Sequence, residues 1–148
     1  MVAEDFVARF GQEAKEAGGL FRIHPVVMLA QAALESGWGE STLARVHCNL
    51  FGILAYGTPN DYWHGCRVQM RTGGLLFRKY GDTRHSFLDY ARLIRTCYPV
   101  AADMSAHPEA FAKEIAYSRY ISETNGDNRE AYRKAIGQIS RKITTIND

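Results

Sequence analysis

The segment from Asn49 to Tyr80 differs in pattern from the residues on both sides of it. Glycines recur along it together with Pro59, and β-branched or aromatic residues lie between them. Short runs of this kind, separated by turn-forming residues, are typical of loops and hairpins. We therefore predict a short antiparallel hairpin with its turn near Thr72–Gly74.

On both sides of this segment, apolar residues recur at helical spacing. The pattern predicts five helices, which begin near Val2, at Pro25, before Phe87, after Pro108, and after a cap at Asp127 or Asn128. The first is expected to end at Gly18–Gly19, and the second to be largely buried. The fold class is therefore α+β: residues 1–148 form a single, mostly helical domain with a small β-hairpin lobe.

The composition excludes several classes of function. Hydrophobic residues make up 46% of the chain, which is enough to form a core, and the net charge is only +2 with no long run of one sign. A protein that binds nucleic acids or membrane surfaces usually carries a cluster of basic residues, so neither is an expected partner. The apolar run Val26–Ala30 is too short to span a bilayer. The start of the chain, with Glu4 and Asp5, does not resemble a signal peptide, so either a leader has been removed or export is signal-independent.

Glu35 is the carboxylate best placed for chemistry. It follows the apolar stretch Val26–Leu34 and precedes Ser36–Gly39, which contains Trp38. A carboxylate at the end of a buried helix and beside an indole is expected to lose water, and desolvation would raise its pKa. The negative end of the helix dipole acts in the same direction. Such a group can donate a proton to a leaving oxygen, whereas the alternative is a surface Glu at a helix end.

Five segments of the chain match, in order, the motifs of one known enzyme family. The first is Leu29–Gly39, which contains Glu35. The others are Asn49–Ile53, Trp63–Gly65, Phe77–Tyr80 with Ser86–Tyr90, and Ala116–Glu123 with the later Tyr132. Together they resemble the bacterial N-acetylglucosaminidase family of flagellar muramidases and Gram-positive autolysins, glycoside hydrolase family 73, in which the first segment is the catalytic helix. The resemblance covers roughly residues 24 to 143.

This resemblance implies a lysozyme-like fold and a substrate, peptidoglycan, cleaved at the β-1,4 bond from N-acetylglucosamine to N-acetylmuramic acid. Glu35 corresponds to the general acid of the family, and Tyr120 to its active-site tyrosine, which would position an acetamido group or a water molecule. The expected substrate-binding residues are Trp38, Asn49, Phe51, Trp63 and Tyr132. For each aromatic residue among them, the alternative is ordinary core packing.

The chain departs from the family pattern at its second carboxylate. Many members have a Glu on the hairpin, but no Asp or Glu occurs between Asp61 and Asp82. Asp61 is the candidate second acid, although it precedes Trp63 and its position favours a turn role. Two mechanisms stay open: attack by the acetamido oxygen of the substrate, or attack by a water held by Tyr120 and backbone groups.

No cofactor or metal is expected. His47–Cys48 and His64–Cys66 offer four possible ligands, but their spacing is not that of a zinc site. Three cysteines cannot all pair within one chain, so free thiols or one optional bridge are expected.

Two functions and several settings remain open. The rival to hydrolysis is a catalytically weak cell-wall-binding module of the same fold. A bare catalytic domain fits a phage-type lysin or an effector secreted against rival bacteria, and a flagellar origin is a further alternative. In each setting, the protein would act in the periplasm or cell wall as a monomer. For an effector, the resemblance implies an immunity protein that occludes the groove.

Overall fold

The computed structural model describes residues 2–122 and 128–147. It has seven helices and two strands in these ranges: α1 (Ala3–Phe21), α2 (Pro25–Ser36), α3 (Thr42–His47), β1 (Arg67–Gln69), β2 (Leu76–Arg78), α4 (Thr83–Cys97), α5 (Pro99–Asp103), α6 (Pro108–Ala116) and α7 (Arg129–Asn147). The mostly helical α+β class with a small hairpin is therefore confirmed.

Helix α2 lies at the centre of the core. Pro25 occupies its first turn, where a missing N–H costs nothing, and the His24 side chain accepts a hydrogen bond from the backbone of Val26. All residues from Val26 to Ala33 are buried, against α1, α6 and α7. The helix ends at Gly37, whose φ of 58° is left-handed. This geometry places Glu35 in the last turn of a buried helix.

Helix α1 is longer than the sequence predicts. The end expected at Gly18–Gly19 is wrong, because the helix continues to Phe21 and Arg22 adopts the left-handed cap. Gly18 has another role, since a Cβ there would lie 2.3 Å from the carbonyl oxygen of Ile23. It permits the chain to turn back closely from α1 into α2.

The predicted hairpin is confirmed. Strands β1 and β2 pair antiparallel with Arg67 opposite Arg78, and Gly73 supplies a positive φ of 75° in the turn. The loop after α3 runs beside β2, where Ala55 donates to the carbonyl of Leu76 and Arg78 donates to that of Ile53. The hairpin and this loop form one side of a cleft.

Two of the helix starts in the C-terminal half depend on side-chain caps. The carboxylate of Asp82 accepts from the backbone of His85 at the start of α4, and the side chain of Asn128 accepts from Ala131 at the start of α7. The predicted cap at Asn128 is confirmed, while the alternative, Asp127, lies outside the described residues. The short helices α3 and α5 are not predicted from the sequence, because they hold too few residues to show a period.

Within residues 2–122 and 128–147, no helix combines the length and apolar character that crossing a membrane requires. Cys48, Cys66 and Cys97 are all free thiols in the structure.

Candidate active site

A cleft of about 1090 Å³ runs between the helices and the β lobe. One side consists of the end of α2, the start of α7 and the residues after α6. The other consists of the loop 51–58, the end of β2 and the middle of α4. The residues that line the cleft include Glu35, Gly52, Tyr56, Arg78, Arg92, Tyr98, Arg119, Tyr120 and Tyr132.

Glu35 lies on the helical side of this cleft and its side chain is exposed. The expected desolvation of Glu35 by Trp38 is therefore wrong. After the left-handed Gly37, the Trp38 ring packs edge-on against Phe6 with a centroid distance of 5.5 Å, and Lys142 lies above its face. The structure places Trp38 against the core and not among the residues that line the cleft.

A chain of three hydrogen bonds leads from the core to Glu35. Tyr90 donates to Oε1 of the buried Gln31, and Nε2 of Gln31 donates to the Tyr132 hydroxyl at 3.2 Å. Tyr132 in turn donates to Oε1 of Glu35 at 3.0 Å. A hydroxyl has a single proton, so the bond from Gln31 directs the proton of Tyr132 toward Glu35. The other carboxylate oxygen, Oε2, lies 3.5 Å from where a Cβ on Gly52 would stand.

Tyr120 lies in the same cleft, with its ring edge-on to Tyr98. Burial, followed by the nearby Tyr132 and Glu35, raises the pKa of Tyr120 well above its ordinary value. Burial and the charge of Glu35 do the same to the pKa of Tyr132. Both phenols therefore stay protonated near neutral pH. Tyr120 can donate a hydrogen bond to a substrate or water, whereas the proton of Tyr132 is already donated to Glu35, and neither phenol can act as a base.

Three of the expected sugar contacts instead support the cleft from behind. The side chain of Asn49 is buried and bonds four backbone groups, including the carbonyls of Ile53 and Arg78. Phe51 borders the cleft but is only 1% exposed, because its ring stacks on Tyr90 at 3.9 Å. The face of Trp63 is covered by Arg78, whose guanidinium lies 4.1 Å from the ring centroid. The prediction that Asn49 and Trp63 contact a sugar directly is therefore wrong, because both side chains are buried and support the structure of the β lobe.

Asp61, the candidate second acid, is exposed and is not among the cleft-lining residues. It lies in the turn where Asn60 accepts hydrogen bonds from the backbone of Tyr62 and Trp63. Among the lining residues that the structure describes, Glu35 supplies the only carboxylate. Glu123, which ends the run Ala116–Glu123 of the fifth resembling segment, lies outside the described ranges.

Three arginines line the cleft opposite and beside Glu35: Arg78, Arg92 and Arg119. The first two share the fully buried carboxylate of Asp89, which also accepts from Tyr80 and Asn60. Burial by itself would raise the pKa of Asp89, but the bonds from Tyr80 and Arg78 outweigh it and lower that pKa. Asp89 is therefore ionised and ties the β lobe to α4.

Several of these groups are not expected from the sequence. Gln31 interrupts an apolar run, and a polar residue at the centre of a buried helix is the one signal that could have indicated it. Arg92, Arg119 and Asp89 carry no such local signal. No cluster of three or more His, Cys, Asp or Glu suited to a metal ion occurs within residues 2–122 and 128–147.

The glucosaminidase family model, described as mannosyl-glycoprotein endo-beta-N-acetylglucosaminidase, matches residues 11–145 of the chain. The chain belongs to the glucosaminidase family. The resemblance seen in the sequence is thereby confirmed, and the molecule is a glycoside hydrolase domain. The chain is 29% identical over 159 residues to the peptidoglycan hydrolase FlgJ of Pseudomonas aeruginosa. The alignment includes 97% of the chain but only 37% of that relative.

Solved structures confirm the lysozyme-like fold expected for this chain. The glycoside hydrolase domain of Salmonella typhimurium FlgJ superposes with a TM-score of 0.75 at 26% identity, covering 99% of this chain and 91% of that one. A type VI secretion system effector–immunity complex from Pseudomonas protegens gives a TM-score of 0.64 at 19% identity, covering 96% and 94%. At that identity the second likeness concerns the fold alone.

Proposed function

We propose that this glucosaminidase hydrolyses the glycan strands of peptidoglycan at the β-1,4 bond from N-acetylglucosamine to N-acetylmuramic acid, with Glu35 as the general acid. The observation that carries the proposal is the hydrogen bond from Tyr132 to Glu35 inside an open cleft of about 1090 Å³. Family membership and the FlgJ relative support the substrate class. The site of action is the periplasm or the cell wall.

In the proposed reaction, protonated Glu35 donates its proton to the glycosidic oxygen as the bond from that oxygen to C1 breaks. The Tyr132 hydroxyl occupies Oε1, so Oε2, which faces Gly52 across the cleft, is the oxygen that delivers the proton. A bound strand would cover Glu35 and remove it from water. The charges and hydrogen bonds of the site then act more strongly on the Glu35 carboxyl group, because water no longer screens them.

Two nucleophiles can attack C1, where positive charge develops as the glycosidic bond breaks. In one route the acetamido oxygen of the substrate attacks C1 to form an oxazolinium ion, and a water then opens this ion and gives its proton to the Glu35 carboxylate. In the other, a water held by the Tyr120 hydroxyl attacks C1 directly and releases its proton to the solvent. Tyr120 serves either route as a hydrogen-bond donor, because its raised pKa keeps the proton on the phenol. Since Asp61 lies outside the cleft lining, neither route uses it.

The second candidate function is a cell-wall-binding module that retains the cleft but turns over slowly. It is favoured by the presence of one carboxylate, not two, among the described cleft-lining residues. The setting also stays a proposal: a secreted effector acting on rival bacteria, with an immunity protein in the cleft, or a phage-type lysin. The effector–immunity neighbour is compatible with the former through its fold only.

Digestion of purified sacculi tests both functions. After borohydride reduction, mass spectrometry should find reduced N-acetylglucosamine at the new ends, whereas reduced N-acetylmuramic acid would identify a muramidase and contradict the proposed bond. Glu35→Gln should lower the rate by about 10²–10⁴-fold with unchanged melting. Glu114→Gln, the same change outside the cleft, is the control. Sacculus binding without release of ends by the wild type would favour the binding module.

A further inference from the structure

The cleft carries more positive charge than a neutral sugar polymer requires. Arg78, Arg92 and Arg119 line it, and within the described ranges Glu35 is the one acidic residue of the lining. Hydroxyl and acetamido groups of a glycan need hydrogen-bond partners but no net charge. An excess of guanidinium groups beside them indicates that an anion also enters the cleft.

The buried carboxylate of Asp89 balances only one of these cations. Its Oδ2 accepts from Nη1 of Arg78 at 2.7 Å, and its Oδ1 accepts from Nε and Nη2 of Arg92 at 3.1 and 3.0 Å. One negative charge thus holds two guanidinium groups, so a positive charge remains at this end of the cleft. The two guanidinium groups are held in place by their bonds to Asp89, which is fully buried in α4.

The three arginines differ in how many of their nitrogens bind other groups of the protein. All three guanidinium nitrogens of Arg78 donate within the protein: one to Asp89, and the others to the carbonyls of Tyr56 and Leu54, while the group also covers the ring of Trp63. Arg92 is 27% exposed, and its Nη1 has no hydrogen-bond partner among the described residues. Arg119 is exposed and makes no hydrogen bond to the part of the chain that the structure describes. Arg92 and Arg119 are therefore available to a ligand.

We infer that Arg92 and Arg119 bind carboxylates of the peptide stems attached to the muramic acid residues, so that this enzyme prefers peptide-bearing glycan to uncharged glycan. The inference rests on the proposed function and specifies its substrate. In an intact strand the lactyl group is amidated by the stem, so the stem peptides carry the carboxylates. A planar guanidinium matches a carboxylate with two parallel hydrogen bonds.

Three forms of one soluble strand preparation, with its amines acetylated beforehand, separate the sources of negative charge. The first retains its peptide stems, the second has the stem carboxylates converted to methylamides, and the third has lost its stems to an amidase and exposes the lactyl carboxylate. The wild type should show a kcat/KM about tenfold higher on the first form than on the second, the size expected of one charge-assisted hydrogen bond. The advantage should shrink as salt is raised.

Variants assign the effect to the two arginines. Arg119→Gln should lower the ratio between the first two forms by about threefold or more, with the remainder contributed by Arg92, and Arg45→Gln, the same change at an exposed residue of α3 outside the cleft, should leave the ratio as in the wild type. Arg92→Gln also weakens the contact with Asp89, so Arg92→Lys, which keeps the charge, should retain part of the preference if the protein is folded.

Equal kcat/KM values of the wild type on the first two forms would overturn the inference and leave the proposed function standing. Full activity on the third form would assign recognition to the lactyl carboxylate and overturn the assignment to peptide stems. Failure to cleave any form would instead contradict the proposed function itself.

Discussion

The hydroxyl group of Tyr132 donates a hydrogen bond of 3.0 Å to Oε1 of Glu35, although 97 positions separate the two residues in the chain. Gln31 determines the direction of this bond by donating to the same hydroxyl, and Tyr90 holds Gln31 in turn. The orientation of the candidate acid at the end of α2 therefore depends on a residue of the last helix.

Tyr132→Phe tests this relationship, because it removes one hydroxyl and retains the ring. We expect kcat to fall about tenfold while KM stays within about twofold, since orientation of the acid acts on the transition state. The free energy of unfolding should fall by about 1–3 kcal/mol, because the change also leaves the buried Nε2 of Gln31 without its partner. Tyr117→Phe, which loses an exposed bond to Glu130 outside the cleft, is the matched control. Full kcat in Tyr132→Phe would show that Glu35 needs no such partner.

Tyr120→Phe tests whether the Tyr120 hydroxyl orients the group that attacks C1. The phenol should matter more than the ring if it orients a water or the acetamido group, so kcat should fall at least about tenfold. Stability should change by no more than about 1–2 kcal/mol. Kinetics on a soluble glycan fragment separate kcat from KM. If Tyr120→Phe keeps full kcat and Tyr120→Ala only unfolds the protein, Tyr120 belongs to the core packing.

Asp61→Asn tests whether a second carboxylate takes part. Asp61 is exposed and lies outside the cleft lining, so activity on sacculi should fall by less than about tenfold, against the ~10²–10⁴-fold loss expected for Glu35→Gln. A loss as large as that of Glu35→Gln, with unchanged melting, would identify Asp61 as the missing acid.

Asp89→Asn tests the buried ion network beneath the arginines. It would leave the guanidinium of Arg78 buried without its counter-charge, at a cost of about 3–5 kcal/mol in the free energy of unfolding. Asp103→Asn, which breaks a surface pair with Arg95, should cost no more than about 1 kcal/mol. Urea unfolding of both variants at neutral pH checks the contrast, and equal losses would contradict it.

The same network predicts a pH dependence. The pKa of Asp89 is lowered in the folded state, so its contribution is complete above the unfolded value of about 3.9 and is lost as the pH falls through the lower folded value. The stability gap between wild type and Asp89→Asn should therefore narrow below about pH 4. A gap that stays constant into acid would show that Asp89 does not provide the charge.

Some features of this protein follow from the sequence by itself. Pro25, Gly37 and Asn128 mark helix boundaries, and Gly73 marks the hairpin turn. These signals succeed because caps and turns depend on the φ angles and hydrogen bonds of a few neighbouring residues. The position of Glu35 at the end of an apolar helix follows for the same reason, since helical period is a local property.

Gly18 shows where a local signal has more than one meaning. A glycine pair near the end of a helical pattern predicts a C-cap, but here Gly18 makes room for the carbonyl of Ile23 while the helix continues. Nothing within one turn of the chain distinguishes the two roles. The difference depends on how closely the next segment approaches.

The direction in which each side chain faces was decided by the tertiary structure. Trp38, Asn49 and Trp63 belong to segments that resemble a catalytic family, yet the fold turns them toward Phe6, the backbone of the β lobe and Arg78. Gln31 and Tyr132, 101 positions apart, meet beside Glu35 because α2 and α7 pack together. Local sequence encodes elements and their ends, whereas a cleft is formed by side chains from distant elements. Their meeting depends on the packing of the whole core, which no short stretch of sequence contains.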